Sequence, residues 1–320
     1  MQSLRRAQIR THAVGETWPS FLGEVRLGES FVVETERFNL VNGPIAVAGV
    51  RAGEAIAIHV EAIEILPPFE APNGGPFFEG MGDSVPLKYE AGVLVFPQGF
   101  RLRPQPSVGN LAVLPAPSER VLEMARTDHL GRGWRRVVND PRGKHCHQDC
   151  AALGEGTILH MRAQVDGAGV CAADVHAYIG EGETAFSGIE VAANVRLRVE
   201  RSEGWLVDWT LIETDEEIMV FCSDTHLMDG REDQGYVDVV RGAYRAMREV
   251  VAARIGAGIE EANPIVATAL DIRNCAIYGL GDYVQKEGKR GDPDRDIAVV
   301  GVLGKGVFGE ERSRFPPGRE

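Results

Sequence analysis

Apolar and polar residues alternate with a period of two through most of the first two thirds of the chain. The longest such run, Ala55-Ile-Ala-Ile-His-Val-Glu-Ala-Ile-Glu-Ile65, predicts a half-buried strand. Shorter runs over 29–35, 45–48, 93–96, 111–114 and 157–165 predict further strands. Glycine turns such as Arg51-Ala-Gly-Glu54 separate them. Within 184–200, Val195, Leu197 and Val199 alternate with Arg196, Arg198 and Glu200, and 204–214 reads as one more strand. The span 67–86 holds five prolines and four glycines and predicts a long irregular loop, in which Phe77-Phe78 could wall a substrate cavity.

The period then changes. Tyr236, Val240, Ala243, Tyr244, Met247, Val250, Val251 and Ile255 recur at helical spacing, with Gly256 and Gly258 as the stop. Asn263-Pro264 should open a short strand or helix leading through 271–277. Beyond Lys286 the chain is charged and rich in glycine and proline apart from an apolar run at 297–303, and its end is expected to be mobile. The fold expected is α+β and predominantly β: a β-rich sandwich- or barrel-like body with a smaller C-terminal α+β portion. Three regions are expected: an N-terminal β-rich region over 1–120, a second β-rich region over 121–230, and a C-terminal α+β portion with a mobile tail over 231–320.

Composition narrows the partners. With 44% hydrophobic and 25% charged residues in 320, the chain has the apolar mass for a sizeable core. A net charge of −13 repels nucleic acid and anionic membrane surfaces, so neither is expected as a partner. No run of apolar residues is long enough to span a bilayer, and no apolar segment follows Met1-Gln2-Ser3-Leu4-Arg5-Arg6 as a signal peptide requires. Five cysteines without any Cys-x-x-Cys fit a reducing compartment, and a cytoplasmic setting is expected. Gly304-Lys-Gly-Val-Phe-Gly309 has glycines at dinucleotide-motif spacing but too little chain after it for the following helix and strand, and reads as part of a flexible tail. Neither a P-loop nor a Gly-x-Ser-x-Gly elbow occurs.

Two clusters carry candidate chemistry. Asp174-Val175-His176 precedes Gly180-Glu181-Gly182-Glu183 and Gly188-Ile189-Glu190, in a stretch that reads as strand, glycine turn and second strand. Side chains two apart on a strand share a face, so Asp174 and His176 should point the same way. Upstream lies His145-Cys146-His147-Gln148-Asp149-Cys150; if extended, it places His145, His147 and Asp149 on one face. Nitrogen and oxygen donors converging from neighbouring strands suit a divalent ion such as zinc, which makes a metalloenzyme the first reading. The plainer alternative is a polar surface pair plus a solvated loop after Pro141-Arg142-Gly143-Lys144. Cys150, beside His147 and Asp149, and Cys171 are weighed as nucleophiles and ranked below the metal reading, because small buried cysteines are usually inert.

The stretch Cys146-His147-Gln148-Asp149-Cys150, followed after a spacer by Ala173-Asp174-Val175-His176-Ala177-Tyr178-Ile179-Gly180-Glu181-Gly182-Glu183, resembles the acetamidase/formamidase family. That family pairs a Gly-Asn-Met-Asp-Cys type motif with a Gly-Asp-Gly-His-Ala-x-Gln-Gly-Asp-Gly-Glu type motif. Segments at Gly43-Pro44-Ile45, at Pro106-Ser107-Val108-Gly109, and near Tyr236 agree as well, so the resemblance extends over roughly residues 12 to 285. It implies a β-rich, metal-assisted enzyme, commonly a homodimer, that hydrolyses a small amide substrate to carboxylate and ammonia. Carried over by position, Asp149, Asp174 and His176 would hold the divalent metal, with zinc the expected cofactor. Glu183 would be the general base, with Glu190 and His147 next in line. His147 for asparagine, Val175 for glycine and Tyr178-Ile179 for a small residue and glutamine mark a divergent member. Its substrate is thus expected to be larger or more apolar than formamide, and the alternative is a catalytically silent relative that binds a metal or small ligand.

Overall fold

The computed structural model describes residues 2–4, 20–37, 41–74, 82–118, 148–185, 187–223, 236–277 and 297–309. The expected β-rich architecture with helices near the C-terminus is what it shows. Two long strands form the spine: β5 (Ala55–Leu66) and β13 (Glu190–Arg201) run antiparallel along most of their length. The other edge of β13 pairs with β3 (Ser30–Thr35), which carries β1 (Gln2–Leu4) beyond it. The alternation seen in the sequence is realised here. Val195, Leu197 and Val199 are fully buried, while Arg196 and Arg198 face outward and both bridge to Glu61 on β5.

At its first residues β13 changes partners. Val191 and Glu190 pair with Val175 and His176 at the end of β12 (Ala168–His176). β12 is flanked by β10 (Ser107–Val113) on one edge and by β4 (Asn42–Ala48), with β2 (Gly23–Arg26) beyond, on the other. Every residue of β10 and β12 is buried. A strand buried along its whole length normally reads as a continuous apolar run. Asp174 and His176 therefore stand out as polar residues placed in the interior at a cost.

On the far side of β5 the sheet continues through β11 (Ile158–Arg162), β14 (Leu211–Glu213), β15 (Glu217–Ser223), β17 (Ala298–Gly304) and β16 (Asp271–Ala276). A separate small sheet holds β6 (Phe69–Ala71), β7 (Val85–Glu90), β8 (Val93–Val95) and β9 (Arg101–Leu102). Helix α1 (Tyr236–Ile255) lays Val239, Ala243, Ala246, Met247, Val250 and Val251 on β15 and β17. It stops at Gly256, whose φ of 66° is the left-handed cap that glycine adopts without strain. Helix α2 (Ile259–Ala269) packs beside it. Neither helix is long and apolar enough to cross a membrane.

Four sequence expectations change. The apolar run at 297–303, read as part of the tail, is the buried strand β17 between β15 and β16, and Lys305–Phe308 continues it as one turn of 3-10 helix. The strand read over 204–214 shrinks to Leu211–Glu213. Asn263-Pro264 does not open an element but lies inside α2; Pro264 and Glu260 are both exposed, so water can satisfy the carbonyl that the proline leaves without a donor. The irregular span 67–86 contains β6 and the start of β7, while Phe77-Phe78 lies outside the described residues.

A polar junction ties the C-terminal strands to the body. His160 on β11 contacts Glu213 on β14 at 2.8 Å through Nε2 and Ser202 Oγ at 2.8 Å through Nδ1. Trp205 Nε1 donates to the same carboxylate at 3.1 Å, and Lys305 closes an ion pair with it. Burial alone would raise the Glu213 pKa, but hydrogen bonds from His160 and Lys305 prevail and hold it at about 2, against an ordinary 4.5. The unfolded chain therefore takes up this proton first as pH falls. The group's contribution is complete above about pH 4.5 and is lost on descending toward about pH 2. Thermal melts of the wild type and Glu213→Gln should accordingly converge as the medium is acidified through that window. Two curves that stay parallel would show that the junction adds no pH-dependent stability.

Candidate metal centre

His176 is the hub. In the β12–β13 register it stands directly opposite Glu190, and its Nε2 donates to Glu190 Oε1 at 3.0 Å. Ser187 Oγ donates to the same oxygen at 3.1 Å, which fixes the carboxylate from a second side. Glu183 Oε1 lies 4.0 Å from the same ring nitrogen. Donor atoms of Asp149, His176 and Glu183 all fall within 4.8 Å of one another, and so do those of Asp174, His176 and Glu190. Four carboxylates thus surround one imidazole, and all five residues are buried.

Local backbone geometry is bent to make this possible. Among the described residues only five non-glycine positions have positive φ, and three are Asp149 (40°), Asp174 (59°) and Glu183 (42°). Each such conformation costs on the order of 1–3 kcal/mol, and strain of this kind gathers where function requires it. The φ of Asp174 interrupts the ladder opposite Gly109, between the pairs Val108↔Val175 and Asn110↔Ala173. Glycine at 109 is required by space: a Cβ there would meet the Asp174 carbonyl oxygen at 2.6 Å, Asp149 Oδ1 at 2.7 Å and Asp174 Oδ2 at 2.9 Å. Gly188 does the same for the imidazole, since a Cβ would come within 2.5 Å of His176 Cδ2.

The glycine turn carrying Glu183 is anchored from the C-terminal strands. Gly182 N donates to Asn274 O at 3.1 Å, and Ile277 N donates to Gly182 O at 3.0 Å. Tyr236, the first residue of α1, donates its hydroxyl to Asn274 Oδ1 at 2.9 Å. Glu181 in the same turn is exposed, as expected for a merely solvated carboxylate, whereas Glu183 is turned inward.

Charge makes the cluster demanding. Burial works against protonation of His176, but Glu190, Asp174 and Asp149 override it and push the pKa well above 6.5. Burial, aided by repulsion from Asp174, raises the Glu190 pKa against the pull of His176. His176 Nδ1 and Glu190 Oε2 are buried with no hydrogen-bond partner. A divalent cation fits this donor set: oxygen and imidazole ligands, excess negative charge, and orphaned buried atoms.

The sequence-predicted residues Asp149, Asp174, His176, Glu183 and Glu190 are thus brought together, while His147 lies outside the described residues. At Asp149 the backbone is left-handed rather than extended, so the expected face of alternating residues is not how its carboxylate arrives. Among the described residues, no cysteine belongs to this cluster. Cys150 and Cys275 belong to the apolar core, and burial pushes the Cys171 thiol up to about 12. Sequence reasoning did not assign the roles of Gly109, Gly188, Ser187 and β16, although Gly109 and Gly188 both stood in its motif segments, Pro106–Gly109 and Gly188-Ile189-Glu190.

Comparison with known proteins points to the same stretch of chain. The model of the Acetamidase/Formamidase family matches residues 103–211, a span that contains all five clustered residues. No curated protein matches. Among solved structures, a predicted acetamidase/formamidase from Thermoanaerobacter tengcongensis superposes with a TM-score of 0.75 at 19% identity, covering 98% of this chain and 99% of that one. An acetamidase from Bacillus halodurans gives 0.70 at 19%, covering 94% and 97%. A gamma lactamase from Delftia acidovorans gives 0.54 at 16%, covering 99% and 95%.

Gly109→Ala should overpack the contact between Asp149 and Asp174 and destabilise the protein by about 1–3 kcal/mol. Urea denaturation measures this, and an unchanged midpoint would mean that the two carboxylates have room to withdraw.

Proposed function

We propose, from the acetamidase/formamidase family membership of the 103–211 segment, that this chain is a metal-dependent hydrolase of a small non-peptide amide, yielding a carboxylate and ammonia or an amine. The observation that carries the reading is the buried set of four carboxylates around His176. Asp149, Asp174 and His176 would hold the ion, with Glu190 orienting the imidazole through Nε2 in the way that carboxylates orient metal-ligating histidines. A bound divalent ion supplies polarisation of the amide carbonyl and acidification of a water molecule. Glu183 is held on its anchored turn, takes the proton from the attacking water and returns it to the departing nitrogen, which leaves badly as an anion. Homodimeric assembly and a cytoplasmic setting belong to the same reading.

Ligands must be deprotonated to bind, and His176 holds its proton tightly in the ion-free state. Metal affinity should therefore rise with pH, with protons released on binding. The purified protein should carry a divalent ion, most simply zinc, by elemental analysis. His176→Ala should lose ion and activity together. Glu183→Gln should keep the ion and lose turnover by roughly 10²-fold or more. Full activity in metal-free protein would sink the mechanism, and loss of the ion from Glu183→Gln would make Glu183 a ligand instead of the base.

The size of the substrate is inferred from Tyr178 and Ile179, which follow the Asp-x-His pair. Ile179 is buried, and Tyr178, half-buried just after His176, packs against the apolar core. Each additional buried methylene contributes about 0.8 kcal/mol. Amides larger than formamide should therefore turn over better, and a panel of linear amides with one or two lactams, followed by ammonia or amine release, tests this. Formamide as the best substrate would refute the pocket reading, and a loaded protein that turns over nothing would favour a binding relative.

A further inference from the structure

We propose that Gln148 is a positioning residue whose side-chain amide takes the place of a strand backbone and holds Asp149 in its left-handed conformation at the His176 cluster. The inference rests on the metal reading above. Strand β10 gives one edge to β12. On its other side, Gln148 Oε1 accepts from Leu111 N at 3.0 Å, and Gln148 Nε2 donates to Leu111 O at 2.9 Å. Both bonds are buried, and Gln148 is fully enclosed. Two residues back along β10, Gly109 O accepts from Gln148 N at 2.7 Å and from Asp149 N at 3.0 Å.

These four bonds reproduce what a neighbouring strand would offer at alternate residues of an edge, yet 148–150 is not a strand. They leave Asp149 little choice of place. Its N–H is fixed on Gly109, and its Oδ1 lies where a Cβ on Gly109 would stand 2.7 Å away. An aspartate at φ 40° persists only where its surroundings over-determine it. The amide of Gln148 is the part of those surroundings that a single substitution can remove. It touches no reacting group; it acts through Asp149.

Gln148→Leu puts an apolar side chain of similar size in its place and removes both amide bonds, and Gln148→Ala removes the side chain beyond Cβ. Zinc affinity is read by competition with a chromophoric chelator, and coordination by the visible bands of the cobalt(II)-loaded protein. Both variants should bind zinc about 10- to 100-fold more weakly, as metal sites do when the support of a ligand is lost. Their cobalt spectra should also shift as Asp149 leaves or reorients. Leu211→Ala, in the core beneath α1, serves as a comparison that loses stability with no change in zinc affinity or spectrum. Wild type that binds no divalent ion would bring down the metal reading itself. Wild type that binds, with folded Gln148 variants matching its affinity and spectrum, would overturn the positioning role alone. If neither variant folds, Gln148 is a folding residue and the proposal is likewise overturned.

Discussion

Confining four carboxylates around one buried imidazole is the constraint on which the rest of the site depends. Each buried anion forgoes hydration, and each repels the others across a medium that screens poorly. His176 answers part of that charge, and its elevated affinity for a proton reflects how much remains. Such a cluster is sustained only by a rigid frame, and the frame here is the point where β12 hands over to β13. The cross-strand pair of His176 and Glu190 sets the centre, and the other three acids are delivered to it by bent backbone.

Those bends are distributed over segments far apart in the chain, and each has its own support. Asp174 is bent within a fully buried strand, opposite a glycine that has no side chain to obstruct it. Asp149 is clipped to β10 through Gly109 and Leu111. Glu183 depends on β16 and, through Tyr236 and Asn274, on the first turn of α1. The C-terminal portion is therefore a support for the site, and β17, which lies between β15 and β16, transmits that support to the main sheet. The cost in strain is local, while the restraint comes from long-range packing.

Much of this was legible in the sequence because it depends on local periodicity and chemistry. Two-residue alternation placed β5 and β13, and helical spacing placed α1 with its glycine stop, since those patterns reflect which side chains meet the core. Asp-x-His on one strand and a glutamate on the next, separated by a glycine turn, marked the residues that the fold brings together. Where local rules failed, a tertiary contact had prevailed. The run at 297–303 lies in a charged, glycine-rich stretch, and only its insertion between β15 and β16 makes it a core strand. Pro264 looks like a boundary until α2 is seen to carry it and Glu260 as exposed residues, where water can serve the carbonyl left without a donor.

By itself, then, the sequence determined the class of fold, the principal strands and helix, and the identity of the buried acids and imidazole. The tertiary structure alone decided how those acids meet. Asp149 reaches His176 through a left-handed backbone and a glutamine clip, not through alternation along an extended strand. Glu183 turns inward while Glu181, two residues earlier in the same turn, faces solvent, because Gly182 is tied to β16. Alternation and spacing report the preferences of a chain with its neighbours along the sequence. Positive φ, close approach at a glycine and the anchoring of a turn are imposed by atoms distant in sequence, so they leave little local trace.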